Sequence, residues 1–245
     1  MIAAVATTID LNVDAGESFG PWVMGDDAAM FERVTTVNVA AGFHAGDPGT
    51  IRRTIELARE HGVAVGAHPG LPDRVGFGRR GMTLAPDEAH DDVLYQIGAV
   101  AAFCRAAGVR LVHAKMHGAL STHVAERSPA VADAIVAAVR EYDPELPLVV
   151  LPASELARAA ARAGCPVWRE GFPERGYAED GTLLQRGLPG AIIHDPEVAA
   201  ERAAAMAASG EYDTLCIHGD NPNAVVIATA IRARFDAAGI GVAPV

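Results

Sequence analysis

The sequence predicts an α/β fold, a (β/α) barrel, on three observations. Short β-branched runs alternate with alanine-rich segments of helical period. The strand candidates are continuous runs of Val, Ile and Leu. Ionisable and amide side chains recur just past the ends of those runs. Alternation of strand and helix implies βαβ crossovers and a parallel sheet, and unbroken apolar strands imply burial on both faces. An open doubly wound sheet satisfies both of these. The third observation favours a barrel, because the carboxyl ends of barrel strands are where loops assemble an active site.

In chain order the strand candidates are 7–10, 36–40, 63–67, 110–114, 146–151, 166–170, 190–194 and 214–218. Helices are expected at about 49–60, 86–107, 128–141, 154–163, 195–208 and 222–238. Pro86 with following acids marks one helix start and "AAG" at 106–108 its stop, and "DPEVAAERAAAMAASG" is bounded the same way. There is no linker, low-complexity segment or internal repeat, so residues 1–245 read as one barrel domain. The opening "MIAAVATTIDLN" lacks a basic region and a cleavage site, and reads as a strand rather than a signal peptide.

Composition excludes several classes of function. Twenty basic against 31 acidic residues leave a net charge of −11, which opposes general binding to nucleic acid or to a membrane surface. No apolar run approaches the roughly 20 residues of a membrane span. Three widely spaced cysteines, Cys104, Cys165 and Cys216, form no CxxC pair. They read as buried filler in a reduced, cytoplasmic protein. GxxxxGK[ST] and HExxH are both missing, so any nucleotide must be held without a P-loop.

The polar strand ends carry the chemistry. Asp10, Asn12 and Asp14 alternate through "IDLNVDAGE", with Glu17 just beyond; carboxylates so placed hold a metal, act as a base or orient a cation. "AGFHAGD" sets His44 and Asp47 among glycines that allow close approach of a ligand. His68 ends the third strand and opens a loop bearing Arg74, Arg79 and Arg80, suited to clamp a carboxylate or phosphate. "VHAKMHGALS" supplies Lys115, to polarise an amide oxygen or neutralise an anion, and His117, to move a proton; His113 reads equally as a core histidine. Glu170 and Arg175 follow the sixth strand, and His218 and Asp220 the last. Asp220 precedes a helix, where it serves either an anion site or a cap. Asp10, His44 and His68 are the candidate ligands if a divalent metal is held.

Seven stretches, "DLNVDAGESFGPWVMGDD", "NVAAGFHAGDP", "GVAVGAHPGLPDRVGFGRR", "YQIGAV", "HAKMHGAL", "ERGYAEDGTLLQR" and "CIHGD", resemble the LamB/YcsF family in order from about residue 9 to the C-terminus. The resemblance implies a distorted barrel of about seven parallel strands, akin to glycoside hydrolase/deacetylase barrels. It implies ATP-dependent hydrolysis of 5-oxo-L-proline to L-glutamate, ADP and phosphate, with ATP as co-substrate and 5-oxoprolinase subunits B and C as partners. On that reading Asp14, Lys115 and His117 are catalytic: Lys115 steadies the lactam oxygen, while His117 and Asp14 transfer protons. Asn12, His44, Asp47, His68, Arg79, Glu170, Arg175, His218 and Asp220 bind substrate. Where relatives carry cysteine in "ACGFHAGD", this chain has Ala41, so no thiol attacks from that position. A stand-alone metal-dependent deacetylase or amidohydrolase is the alternative reading.

Overall fold

The computed structural model describes residues 7–245; residues 1–6, the start of the opening read as a strand rather than a signal peptide, lie outside the described residues. Seven parallel strands close into a barrel: β1 (Thr8–Ala15), β2 (Thr36–Ala40), β3 (Ala64–His68), β4 (Leu111–Lys115), β5 (Leu148–Val150), β6 (Val167–Gly171) and β7 (Thr214–Ile217). Each strand pairs with the next, and β1 closes the ring by pairing with both β2 and β7. A two-residue strand, β8 (Gly241–Val242), adds to the foot of β1 at Thr8 and Ile9.

The helices surround this ring: α1 (Asp27–Phe31), α2 (Pro48–His61), α3 (Pro86–Ala107), α4 (Pro129–Tyr142), α5 (Glu155–Ala163), α6 (Pro196–Ser209) and α7 (Ala224–Ala238). Proline sits in the first turn of α2, α3, α4 and α6, where its missing N–H leaves no helical bond unmade. The outward residues of β1, Ile9, Leu11 and Val13, are buried and join the apolar core. Alternation therefore turns Asp10, Asn12 and Asp14 into the barrel.

Five elements depart from the sequence reading, two of them, α1 and β8, absent from it altogether. β1 runs on to Ala15, so Asp10, Asn12 and Asp14 lie within the strand rather than after it. Segment 190–194 is not a barrel strand. It closes an excursion between β6 and α6 held by isolated antiparallel bridges, Arg175 to Ile192 and Tyr177 to Leu183. Its apolar run packs locally, and no neighbouring strand edge is open to it once β6 pairs with β7. Beyond β4, a π-helical turn over Leu120–Ala125 precedes α4; wide turns of this kind are frequent at functional sites.

Candidate active site

The barrel interior is polar, and its contacts are best followed from the bottom upward. Asp10 accepts hydrogen bonds from the hydroxyls of Thr35 and Thr36, each at 2.6 Å, and from Thr214. Burial raises its pKa, and those three donors offset only part of the rise. Asn12 sits one layer higher. Its amide donates to Thr214 Oγ1 at 2.6 Å and Glu170 Oε1 at 3.2 Å, and its oxygen accepts from Asn38 Nδ2 at 2.7 Å. Asn38 also donates to Asp14 Oδ1 at 2.9 Å, and its own oxygen lies 2.6 Å from His113 Nε2. His113 is thus a core histidine, held to neutrality down to about pH 3, chiefly by burial. Gly66 makes room for it: a Cβ there would stand 2.0 Å from His113 Nε2.

Above this network lies Lys115, at the carboxyl end of β4. Its Nζ is 2.8 Å from Asp14 Oδ1, 2.7 Å from Glu170 Oε1 and 3.0 Å from Cys216 Sγ. All four residues are buried. Burial alone would push Asp14 up and Lys115 down. Their mutual attraction wins, leaving the carboxyl well below its usual range and the ammonium well above its own. Cys216 faces its sulfur into this group, but burial drives the thiol well above its usual pKa, so it stays protonated.

At the top, Glu17, His44, His68 and His117 converge, each offering a ligand atom within 4.8 Å of the others. The His44 and His117 rings are stacked, with centroids 3.7 Å apart and planes 5° from parallel, and His68 stands edge-on to both. His68 Nδ1 lies 2.7 Å from the Lys115 carbonyl oxygen, and His117 Nε2 lies 2.8 Å from that of Phe77. Phe77 takes a positive φ of 54°, a strained choice for a bulky residue that aims this carbonyl inward. Burial, first of all, drives His44 and His117 well below the usual histidine pKa and Glu17 well above that of a carboxylate. Glu17 Oε1 and both nitrogens of His44 are buried without a hydrogen-bond partner among the described residues.

The mouth is closed over by its loops. Arg79 makes a two-point contact with Asp220, at 2.6 and 3.0 Å, joining the loop after β3 to the loop after β7. Arg74 ties the same β3 loop to the carbonyls of Gly42 and Gly46, and Arg80 pairs with Asp73. His218 is gripped by Glu174, whose Oε1 lies 2.6 Å from its Nδ1 and also accepts its peptide N–H.

The structure therefore gathers Asn12, Asp14, His44, His68, Lys115, His117 and Glu170 in one buried column, with Arg79, His218 and Asp220 around its mouth. Three predicted residues fall elsewhere. Asp47 caps α2, accepting from Thr50 N and Gly20 N, each at 2.8 Å. Arg175 donates to the carbonyls of Ala191 and Leu184 and so braces the excursion. Asp10 lies at the barrel floor, apart from the other two proposed metal ligands. Asp220 is not the α7 cap; that position falls to Asn223. Glu174 escaped sequence reading, because one carboxylate in an irregular loop carries no period. Asn38 escaped because it sits inside an apolar strand.

The column occupies the C-terminal end of a barrel whose whole sequence can be matched. Residues 9–245 match the LamB/YcsF family. The chain belongs to that family. Among LamB/YcsF-type relatives, the 5-oxoprolinase A subunit of Methylococcus capsulatus is 52% identical, the match covering 98% of this chain and 96% of that one. A protein of the same description from Thermus thermophilus is 50% identical over 96% of this chain and 98% of its own. A crystal structure of a lactam utilization protein, also from T. thermophilus, superposes with a TM-score of 0.92 at 48% identity, covering 97% of this chain and 100% of that one. A distant likeness shows the fold alone: the catalytic domain of a peptidoglycan N-acetylglucosamine deacetylase from Eubacterium rectale, with a TM-score of 0.55 at 11% identity, covers 100% of this chain and 90% of its own. The expected likeness to deacetylase barrels is thus met at the level of architecture.

Proposed function

We propose that this chain acts as the A subunit of a 5-oxoprolinase, opening 5-oxo-L-proline to L-glutamate with hydrolysis of ATP to ADP and phosphate. The observation that carries the reading is the buried Lys115 ammonium, clasped between Asp14 and Glu170 at the end of β4, in a family whose relatives of about half-identical sequence bear that description.

A lactam carbonyl is a poor electrophile. Transfer of the ATP γ-phosphoryl group to its amide oxygen, with ADP as leaving group, turns that oxygen into part of a good leaving group. Water then adds to the ring carbon and gives up its protons. The C–N bond breaks as nitrogen takes a proton, leaving an acyl phosphate on the opened chain, and a second water hydrolyses that acyl phosphate to the carboxylate and inorganic phosphate. Lys115 is placed to steady the negative charge on the lactam oxygen as it forms, in a site where low polarity strengthens the interaction. Asp14, held ionised by that same lysine, is a proton acceptor beside the site, and its lowered pKa makes it a weak base. His117 is less suited to accept a proton, because its one free lone pair faces His68. Arg79 and the mouth around Asp220 supply the cationic wall for the substrate carboxylate or the phosphate. A buried site needs an opening motion before substrate enters, and the Arg79–Asp220 pair is one contact across the mouth that such a motion would separate.

The relatives are described as A subunits, which implies further chains; subunits B and C of the 5-oxoprolinase are the partners proposed here. No described helix is long and apolar enough to cross a membrane. The three buried, unpaired cysteines suit a reducing cytoplasm. The test is glutamate formation from 5-oxoproline by the tagged chain purified with its partners, with and without ATP. ATP-dependent glutamate that disappears when the partners are washed away supports the reading. A complete complex that forms none overturns it.

A further inference from the structure

We propose that Glu17, His68 and His117 form a site for a divalent transition-metal ion, bound through Glu17 Oε1, His68 Nε2 and His117 Nδ1. The argument starts from protons. A backbone carbonyl can only accept, so His68 Nδ1, 2.7 Å from the Lys115 oxygen, and His117 Nε2, 2.8 Å from the Phe77 oxygen, must each carry a hydrogen. In their neutral forms both rings are then left with bare lone pairs on His68 Nε2 and His117 Nδ1. Those two atoms face each other at 3.0 Å. Two lone pairs at that distance repel unless something positive lies between or beside them.

The surroundings favour a metal ion over a shared proton. Histidine ligands almost always donate the far ring N–H to a carbonyl or carboxylate, which fixes the metal-facing tautomer; His68 and His117 both do so, through the main chain. Glu17 Oε1 is buried without a hydrogen-bond partner among the described residues and sits 3.8 Å from His117 Nδ1. Bonds of about 2.0–2.1 Å in a tetrahedron separate ligand atoms by roughly 3.3 Å, and the separations found, 3.0 and 3.8 Å, bracket that value. Asp14 Oδ2, 3.5 Å from His68 Nε2, adds negative charge on the same side. Two imidazoles and a carboxylate suit zinc and its first-row neighbours rather than magnesium or calcium.

His44 is not assigned as a ligand, although its nitrogens lie near. Stacked flat on His117, it cannot aim an in-plane lone pair at the same point as its neighbour. Gly70 leaves room for it there: a Cβ on that residue would stand 2.3 Å from His44 Nδ1. His44 is instead a positioning residue that keeps the His117 ring in plane. A bound ion would supply Lewis-acid polarisation of a carbonyl oxygen, and the site stands whether or not that carbonyl belongs to a lactam.

The test uses the full chain, stripped with a chelator and titrated with Co²⁺ and Zn²⁺. The expected result is about one equivalent of cobalt per chain, with the intense visible bands of a low-coordinate ion, displaced by zinc. Glu17→Gln, His68→Gln and His117→Gln each lower affinity by more than the roughly 10–100-fold that a supporting residue costs, whereas His44→Gln stays within that range. Circular dichroism shows which variants fold. If a ligand variant fails to fold, the unmodified chain still decides the matter through its cobalt spectrum. Cobalt retaining the weak spectrum of the hydrated ion overturns the site, as does a nitrogen-15 spectrum showing one proton shared by His68 and His117 in excess zinc. Because the readout is metal affinity, it is independent of glutamate formation: either result can fail while the other stands.

Discussion

The floor and the crown of the barrel are both polar and both buried, yet they are satisfied in opposite ways. At the floor Asp10 has three threonine hydroxyls, and every donor that faces it finds an acceptor. At the crown Glu17 and His44 keep unpartnered atoms, and two histidine lone pairs meet head-on. Leaving a buried polar atom unpaired costs about 1–3 kcal/mol, so a fold tolerates it where the group is kept for a ligand. The difference teaches where structure ends and chemistry begins: the contacts of Asp10 are closed, His113 Nδ1 in the middle layer is unpaired within the core, and the open crown around Glu17, His68 and His117 marks the site. Lys115 stands at the boundary, paired like the floor and placed like the crown.

The sharpest way to break the comparison is at that boundary. Lys115→Met leaves Asp14 and Glu170 buried without their cation. Stability is expected to fall by about 3–5 kcal/mol in urea unfolding, and turnover in the assembled complex by about 10²–10³-fold. Unchanged turnover removes Lys115 from the mechanism. Next comes a matched pair from the two ends. Asp10→Asn sets an amide against hydroxyl donors and should cost about 1–3 kcal/mol while cobalt affinity stays as it was. Glu17→Gln should leave stability unchanged or slightly raised, because it removes an unpaired buried acid, while cobalt binding is lost. Equal effects of the two on both readouts would erase the distinction.

A pH profile sharpens the account of the middle layer. The pKa of His113 is depressed in the fold from 6.5 to about 3. The stability its neutral form contributes is complete above pH 6.5 and is lost as pH falls, because the unfolded chain takes up a proton that the fold refuses. From about pH 6 downward this amounts to at most ~1.4 kcal/mol per pH unit. His113→Asn should flatten the profile between pH 6.5 and 5 by one proton; an unchanged slope would refute the assignment. The smallest effect is expected at the mouth. Arg79→Ala breaks a partly exposed pair, so stability should shift by less than about 1 kcal/mol. Amide hydrogen exchange over residues 69–85 should nonetheless quicken, and exchange no faster than in the unaltered chain would mean that the loop is held closed by other contacts.

The barrel was legible in the sequence because its signals are local. Strand and helix alternate with a clear period, prolines and glycines punctuate the helices, and six of the seven strand ends or interiors advertise polar residues. The segment 190–194 misled for the same reason: a run of two isoleucines looks like a strand until no sheet edge is left for it. The polar residues were also legible as a set, since buried-strand neighbours make Lys115 and His68 conspicuous. Their division of labour was not. Asp47, Arg175 and Asp10 have the same side-chain chemistry as the residues of the buried column, and only position in space makes the first a helix cap, the second a loop brace and the third a barrel floor.

Sequence alone thus determined which chemistry this chain carries: carboxylates, imidazoles, an ammonium and guanidinium groups, borne on strands that must run parallel. Tertiary structure decided which of them meet. Ring closure between β1 and β7 brings Asn12 beside Cys216 in register, residues far apart in the chain, and only the two carbonyls of Lys115 and Phe77 decide which histidine nitrogens carry protons. A sequence records donors and acceptors one residue at a time, whereas a hydrogen bond, an ion pair or a ligand set exists only between groups that the fold has placed within a few ångströms.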